Sequence, residues 1–92
     1  MSEPVTRTLT IVNEKGLHAR ASAKLVELVE EFDAEAVVSK DGTAASADSI
    51  MGLLMLVAAK GSTITVTTTG TLAEELADAI EELVATRFGE KA

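Results

Sequence analysis

Val5 to Val12 alternates, with Leu9 and Ile11 on one face and Thr6, Thr8 and Thr10 on the other. A period of two is that of a half-buried strand. The loop Asn13-Glu14-Lys15-Gly16 follows, and Gly16 frees the backbone for a positive φ or a close approach to a ligand. From about Ala19 to Glu31 the period changes. Ala21, Leu25, Leu28, Val29 and Phe32 are spaced by three and four, which predicts a helix with one apolar stripe. Ala36 to Ser39 reads as a short strand and Thr43 to Ser46 as its weaker return. Between them, Lys40-Asp41-Gly42-Thr43 has the chemistry of a type I′ hairpin turn. Asp48 or Ser49 is placed to cap a short helix running to about Val57, ended by Lys60-Gly61-Ser62. Thr63 to Thr69 alternates again, with Ile64 and Val66 inward and Thr63, Thr65 and Thr67 outward. After Gly70, the segment Thr71 to Arg87 carries Leu72, Leu76, Ile80, Leu83 and Val84 on one stripe. Thr71 and Glu74 are spaced as a capping box, and Gly89 marks the stop before a polar tail.

The expected order is β-α-β-β-α-β-α in one domain, 1–92. Strands with a threonine face imply a four-stranded antiparallel sheet, wet on one side, with three helices on the other. The fold class is therefore α+β, an open-faced β-sandwich. There is no cysteine, which fits a reducing cytosol and excludes thiolate chemistry. A single histidine excludes a multi-histidine zinc site, and no metal or cofactor is expected. Met1-Ser2-Glu3-Pro4 lacks the basic and apolar character of a signal segment. The longest apolar run, Ile50 to Ala59, is ten residues with Gly52 inside it, too short to insert in a membrane. Fifteen acidic against eight basic side chains give a net charge of −7, which argues against nucleic acid. The acidic stretches Glu27–Glu35 and Glu74–Glu82 read as solvated helix faces.

The chemistry concentrates in Gly16-Leu17-His18-Ala19-Arg20. An imidazole's ordinary pKa lies near ambient pH, so it is available as a nucleophile. The free amides of a helix's first turn favour an anion, and Arg20 adds a permanent charge and several donors. By itself His18 reads more readily as a surface histidine at a helix end, and it is Gly16 before it, the helix start after it and Arg20 within reach that raise the functional reading. No Ser/His/Asp set, Gly-rich nucleotide loop or second acid–base group accompanies it. A carrier fits this poverty better than an enzyme, since it needs only a nucleophile, an anion cradle and a docking face. Ser49 reads first as a helix cap and second as a modification site, where a phosphate dianion would gain from the helix dipole. The second helix has more apolar residues than one buried face needs. Ile50, Met51 and Leu54 are therefore candidates for an exposed docking patch, with methionine suited to adaptable contact.

Gly16-Leu17-His18-Ala19-Arg20, followed by an amphipathic helix and, about thirty residues on, Ser49-Ile50-Met51-Gly52, resembles the HPr family. These are the histidine-containing phosphocarriers of the bacterial phosphoenolpyruvate-dependent phosphotransferase system. The resemblance spans about Val5 to Phe88. It implies that His18 takes a phosphoryl group on Nδ1 from phosphorylated enzyme I and passes it to an enzyme IIA protein or domain. It implies further that Arg20 contacts the phosphate and both partners, with Gly16, Ala19 and Ala21 in support. Ser49 matches the serine targeted by an HPr kinase/phosphorylase. Ile50, Met51 and Leu54, together with Lys24, match partner-docking positions. The implied fold is again the open-faced β-sandwich.

Two features depart from the family pattern. Ala21 stands where proline commonly follows the arginine, which loosens the helix start and adds one N–H donor. The first helix carries Glu27, Glu30 and Glu31, leaving Arg20 and Lys24 as its basic residues, so docking to a strongly acidic acceptor is weakened. A regulatory, nitrogen-type chain is as well supported as one serving sugar uptake. The competing class is a non-catalytic docking module controlled only by phosphorylation of Ser49. A small carrier that alternates partners is most simply a cytoplasmic monomer.

Overall fold

The computed structural model describes residues 3–92. Met1 and Ser2, the start of the segment read as carrying no signal, lie outside them. The elements are β1 (Val5–Thr10), α1 (Ala19–Glu30), β2 (Glu35–Lys40), β3 (Thr43–Ser46), α2 (Ile50–Met55), β4 (Thr63–Thr69) and α3 (Ala73–Ala85), followed by a single 3-10 turn, Arg87–Gly89. The sheet order is β1-β4-β2-β3, antiparallel throughout. The expected fold class and element order are those observed.

The register explains the wet face. Thr6 pairs with Thr67, Thr8 with Thr65 and Thr10 with Thr63, so cross-strand threonines cover the open side. The opposite face supplies Leu9, Ile64, Val66 and Val38, all buried beneath the helices. From α1 come Ala21, Leu25, Val26 and Val29, and from α3 Leu76, Ile80 and Val84. Leu28 and Phe32, placed on the α1 stripe by spacing, are only half-buried, while Ser22 and Val26 are buried instead. At the β2–β3 hairpin Asp41 (φ 51°) and Gly42 (φ 84°) are both left-handed, as a type I′ turn requires. The glutamates of α1 are exposed, as expected of a solvated face. On α3, Asp78 and Glu81 do more, since they bind Arg7 of β1 at 2.8 and 2.7 Å and raise its guanidinium pKa further above its ordinary value.

Several boundaries differ from the sequence expectation. β1 ends at Thr10 rather than Val12. The capping box at Thr71 and Glu74 does not form. The helix starts two residues later, at Ala73, with Leu72 as its N-cap and no side-chain cap. Tertiary contact overrides the local motif, because Gly70 is left-handed (φ 109°) against Ala34 and the Leu72 N–H donates to Asp33 O. At the other end α3 stops at Ala85. Arg87, Phe88 and Gly89 then take φ of 58°, 54° and 78° in succession. This sharp reversal drives Phe88 fully into the core and turns the tail back across the N-terminus of α1.

Candidate functional site

Gly16 and Leu17 deliver His18 to the start of α1. Gly16 has φ 68°, and a Cβ there would lie 2.4 Å from Ala58 O. Only glycine lets the two loops approach this closely. The Leu17 N–H donates to Ala58 O at 2.8 Å and locks them together. Leu17 is buried, and Ser22 Oγ donates to Leu17 O at 3.3 Å. His18 emerges from this anchor as the N-cap of α1, with extended φ and ψ. Its Nδ1 accepts the Arg20 N–H at 3.3 Å, so an imidazole nitrogen fills the place usually taken by a Ser or Asp oxygen.

The other face of the ring meets a residue that sequence reasoning missed. His18 Nε2 contacts Glu90 Oε2, and the Asn13 Nδ2 donates to Glu90 Oε1 at 3.0 Å. Asn13, read only as part of a loop, is fully buried, and its Nδ2 also donates to Gly16 O at 2.9 Å. Hydrogen bonds from Asn13 and then from His18 hold the Glu90 carboxyl below its ordinary pKa. The only sequence signal for this was Phe88-Gly89, an apolar anchor followed by a turn residue. It marks a reversal without showing where the tail lands.

The remaining candidates separate into two groups. Ala19 and Arg20 are exposed on the first turn of α1, with the Arg20 side chain beside His18 and Glu90 in one open cleft. Ala21 is fully buried, so its methyl belongs to the core. Lys24 borders the same cleft, but its Nζ donates to Phe88 O at 2.6 Å. In the chain by itself it holds the tail, half-buried at the edge of the cleft. Ser49 caps α2, its Oγ accepting the Gly52 N–H at 3.0 Å, whereas Asp48 accepts from Ser46 Oγ instead. A Cβ on Gly52 would crowd Ala45 and the Ser49 hydroxyl, which accounts for glycine there. In the apolar patch Ile50 and Met51 are exposed, but Leu54 is half-buried. The most exposed apolar side chains here are Met51, Met55 and Val57, at 71%, 72% and 75%. The reason is that α2 ends at Met55, short of the expected Val57. Val57 then turns left-handed (φ 52°) and swings outward, and the next residue is the Ala58 that braces Leu17. Site and patch are therefore neighbours.

A family model described as the PTS HPr component phosphorylation site matches residues 5–86. The chain is 49% identical over 84 residues to the phosphocarrier protein HPr of Cupriavidus necator, covering 91% of this chain and 94% of that one. It is 45% identical over 87 residues to the phosphocarrier protein NPr of Escherichia coli K12, covering 94% and 97%. The crystal structure of HPr-C-His from Thermoanaerobacter tengcongensis superposes with a TM-score of 0.90 at 33% identity, covering 96% of this chain and 99% of that one.

Proposed function

Because the chain belongs to the HPr family of phosphotransferase-system phosphocarriers, we propose that its His18 takes a phosphoryl group on Nδ1 from phosphorylated enzyme I and hands it to an enzyme IIA acceptor. The observation that carries this reading is the imidazole acting as N-cap of α1, with Nδ1 facing the first-turn amides. A phosphoryl group on that atom replaces one hydrogen bond with several. It stands where orphan N–H groups and the helix dipole favour an anion, with the exposed Arg20 beside it. The carrier contributes placement and charge, and partner enzymes supply the rest of the catalysis.

The exposed strip Met51, Met55 and Val57 supports docking of both partners beside His18. Phosphorylation of Ser49 would replace the cap hydroxyl with a dianion at the edge of that strip and weaken docking. Glu27, Glu30 and Glu31 lie exposed along α1 and disfavour a strongly acidic acceptor, which supports a regulatory role over bulk sugar uptake. Cytosolic work as a monomer completes this reading.

The test is incubation with phosphoenolpyruvate, magnesium and enzyme I, followed by mass spectrometry before and after acid treatment. One acid-labile phosphate, absent from His18→Ala, is the expected result. A chain that takes no phosphate from a demonstrably active enzyme I is a docking module instead, and Ser49 becomes the site to examine.

A further inference from the structure

We infer that Glu90, gripped by Asn13, is a positioning residue that fixes the reactive tautomer of His18 and balances the charge its ring gains on phosphorylation. The inference rests on the carrier reading above and concerns how the same site works.

Glu90 is not a loose tail residue. Phe88 is completely buried two positions before it, Lys24 Nζ clamps Phe88 O, and three consecutive left-handed residues aim the chain at His18. Non-glycine residues at positive φ persist only where surrounding contacts hold them, and here there are two, Arg87 and Phe88. Asn13 is oriented without ambiguity. Its two neighbours, Gly16 O and Glu90 Oε1, are both acceptors, so only the NH2 end can face them. The consequence is that Asn13 Oδ1 is buried with no partner among the described residues. A buried orphan oxygen is costly, and it is tolerated here for the sake of the two bonds made by Nδ2.

The tautomer follows from the partners. Nδ1 accepts from a backbone N–H, so it carries a lone pair, and the proton of the neutral ring sits on Nε2, which donates a hydrogen bond to Glu90 Oε2. That is the form in which Nδ1 is the nucleophile. As the Nδ1 lone pair forms the N–P bond, the bond from phosphorus to the donor protein's leaving atom breaks, and its electron pair departs with the donor. The Nε2 proton stays in place, so the ring passes from neutral to a single positive charge. The Glu90 carboxylate lies against that proton and offsets the charge. On transfer to the acceptor the N–P pair returns to Nδ1 and the ring is neutral again. A carboxylate that orients an imidazole and stabilises its cation plays the same part in the serine hydrolase triad, reached here from a chain terminus on an unrelated fold.

Two readouts on Glu90→Ala and Glu90→Gln test this. Ring nitrogen NMR of 15N-labelled, unphosphorylated protein reports the tautomer without any transfer step. Quenched-flow phosphorylation by phosphorylated enzyme I reports the rate. Wild type is expected to show one protonated Nε2 and a bare Nδ1. Glu90→Ala should show a mixture of tautomers and a rate lower by about ten- to a hundredfold, the scale set by orienting partners of ligating histidines. Glu90→Gln keeps an acceptor oxygen without the charge, so it should retain the tautomer and recover part of the rate. A wild-type tautomer and rate in Glu90→Ala overturns the inference and leaves the carrier reading intact. Wild type that takes no phosphate on His18 overturns the carrier reading itself. Should Glu90→Ala not fold, Glu90→Gln decides alone: a slowed rate supports the inference and an unchanged one overturns it.

Discussion

The two regions that the proposed function uses are built on opposite plans. Around His18 the backbone and the ring's partners are held, while the Arg20 side chain stands exposed. Gly16 is wedged against Ala58, Leu17 is hydrogen-bonded across the loops, Asn13 is buried and Phe88 pins the tail. Along α2 and its exit, Met51, Met55 and Val57 project into solvent from a six-residue helix and a left-handed turn. Group transfer needs a nucleophile fixed to within a fraction of an ångström, and polar contacts on a packed base provide that. Docking to more than one partner needs apolar area that can re-pack, and unbranched methionines provide that. One short loop at Ala58 adjoins both regions, bracing Leu17 on one side and following Val57 on the other.

The largest separation of the two regions should come from Phe88→Ala. Removing a fully buried phenyl ring should lower stability by about 3–5 kcal/mol. It should also free Glu90 from His18 while leaving Ser49 and the strip in place. Urea denaturation measures the first effect and His18 ring NMR the second.

Val57→Gly should act with opposite signs on fold and docking. A β-branched residue at φ 52° is strained, so glycine should stabilise the fold by about 1 kcal/mol, net of its larger unfolded entropy. Binding to enzyme I, measured by calorimetry, should nevertheless weaken, because an exposed apolar side chain is lost. Parallel changes in stability and affinity would show that Val57 makes no contact with the partner.

Ser49→Ala should cost about 1 kcal/mol by orphaning the Gly52 N–H. Its rate of phosphorylation at His18 should match wild type in stopped-flow assays, since the cap lies in the docking region.

The smallest effect is electrostatic. Glu90 titrates below its ordinary value in the fold, so its contribution to stability is full above the unfolded pKa and is lost as pH falls through the lowered folded value. Between about pH 7 and about pH 3, urea midpoints of wild type should fall more than those of Glu90→Gln. Equal slopes would mean that the bonds from Asn13 and His18 do not favour the carboxylate.

Most of the fold and half of the site could be read directly. The period-two strands, the Asp41-Gly42 turn and the Ser49 cap are local, and each forms as expected. The departures lie at element ends. The Thr71–Glu74 capping box lost to a backbone bond from Leu72 to Asp33, a partner about forty positions earlier in the chain. Leu54, expected to be exposed, is half-buried, and α2 stops at Met55 rather than Val57.

The sequence by itself determined where helices and strands begin to alternate, that one histidine heads a helix with an arginine close by, and that one serine caps the next helix. Those are consequences of side-chain period and backbone chemistry within a few residues. Only the tertiary structure decided that Glu90 and Asn13 complete the histidine's surroundings, and that the exposed apolar strip turns on Val57. Asn13 and Glu90 are separated by 77 positions and meet because the Arg87–Gly89 reversal is bought by burying Phe88. Such long-range closure depends on burying apolar groups far apart in the chain in one core, and no local pattern of polar and apolar residues encodes it.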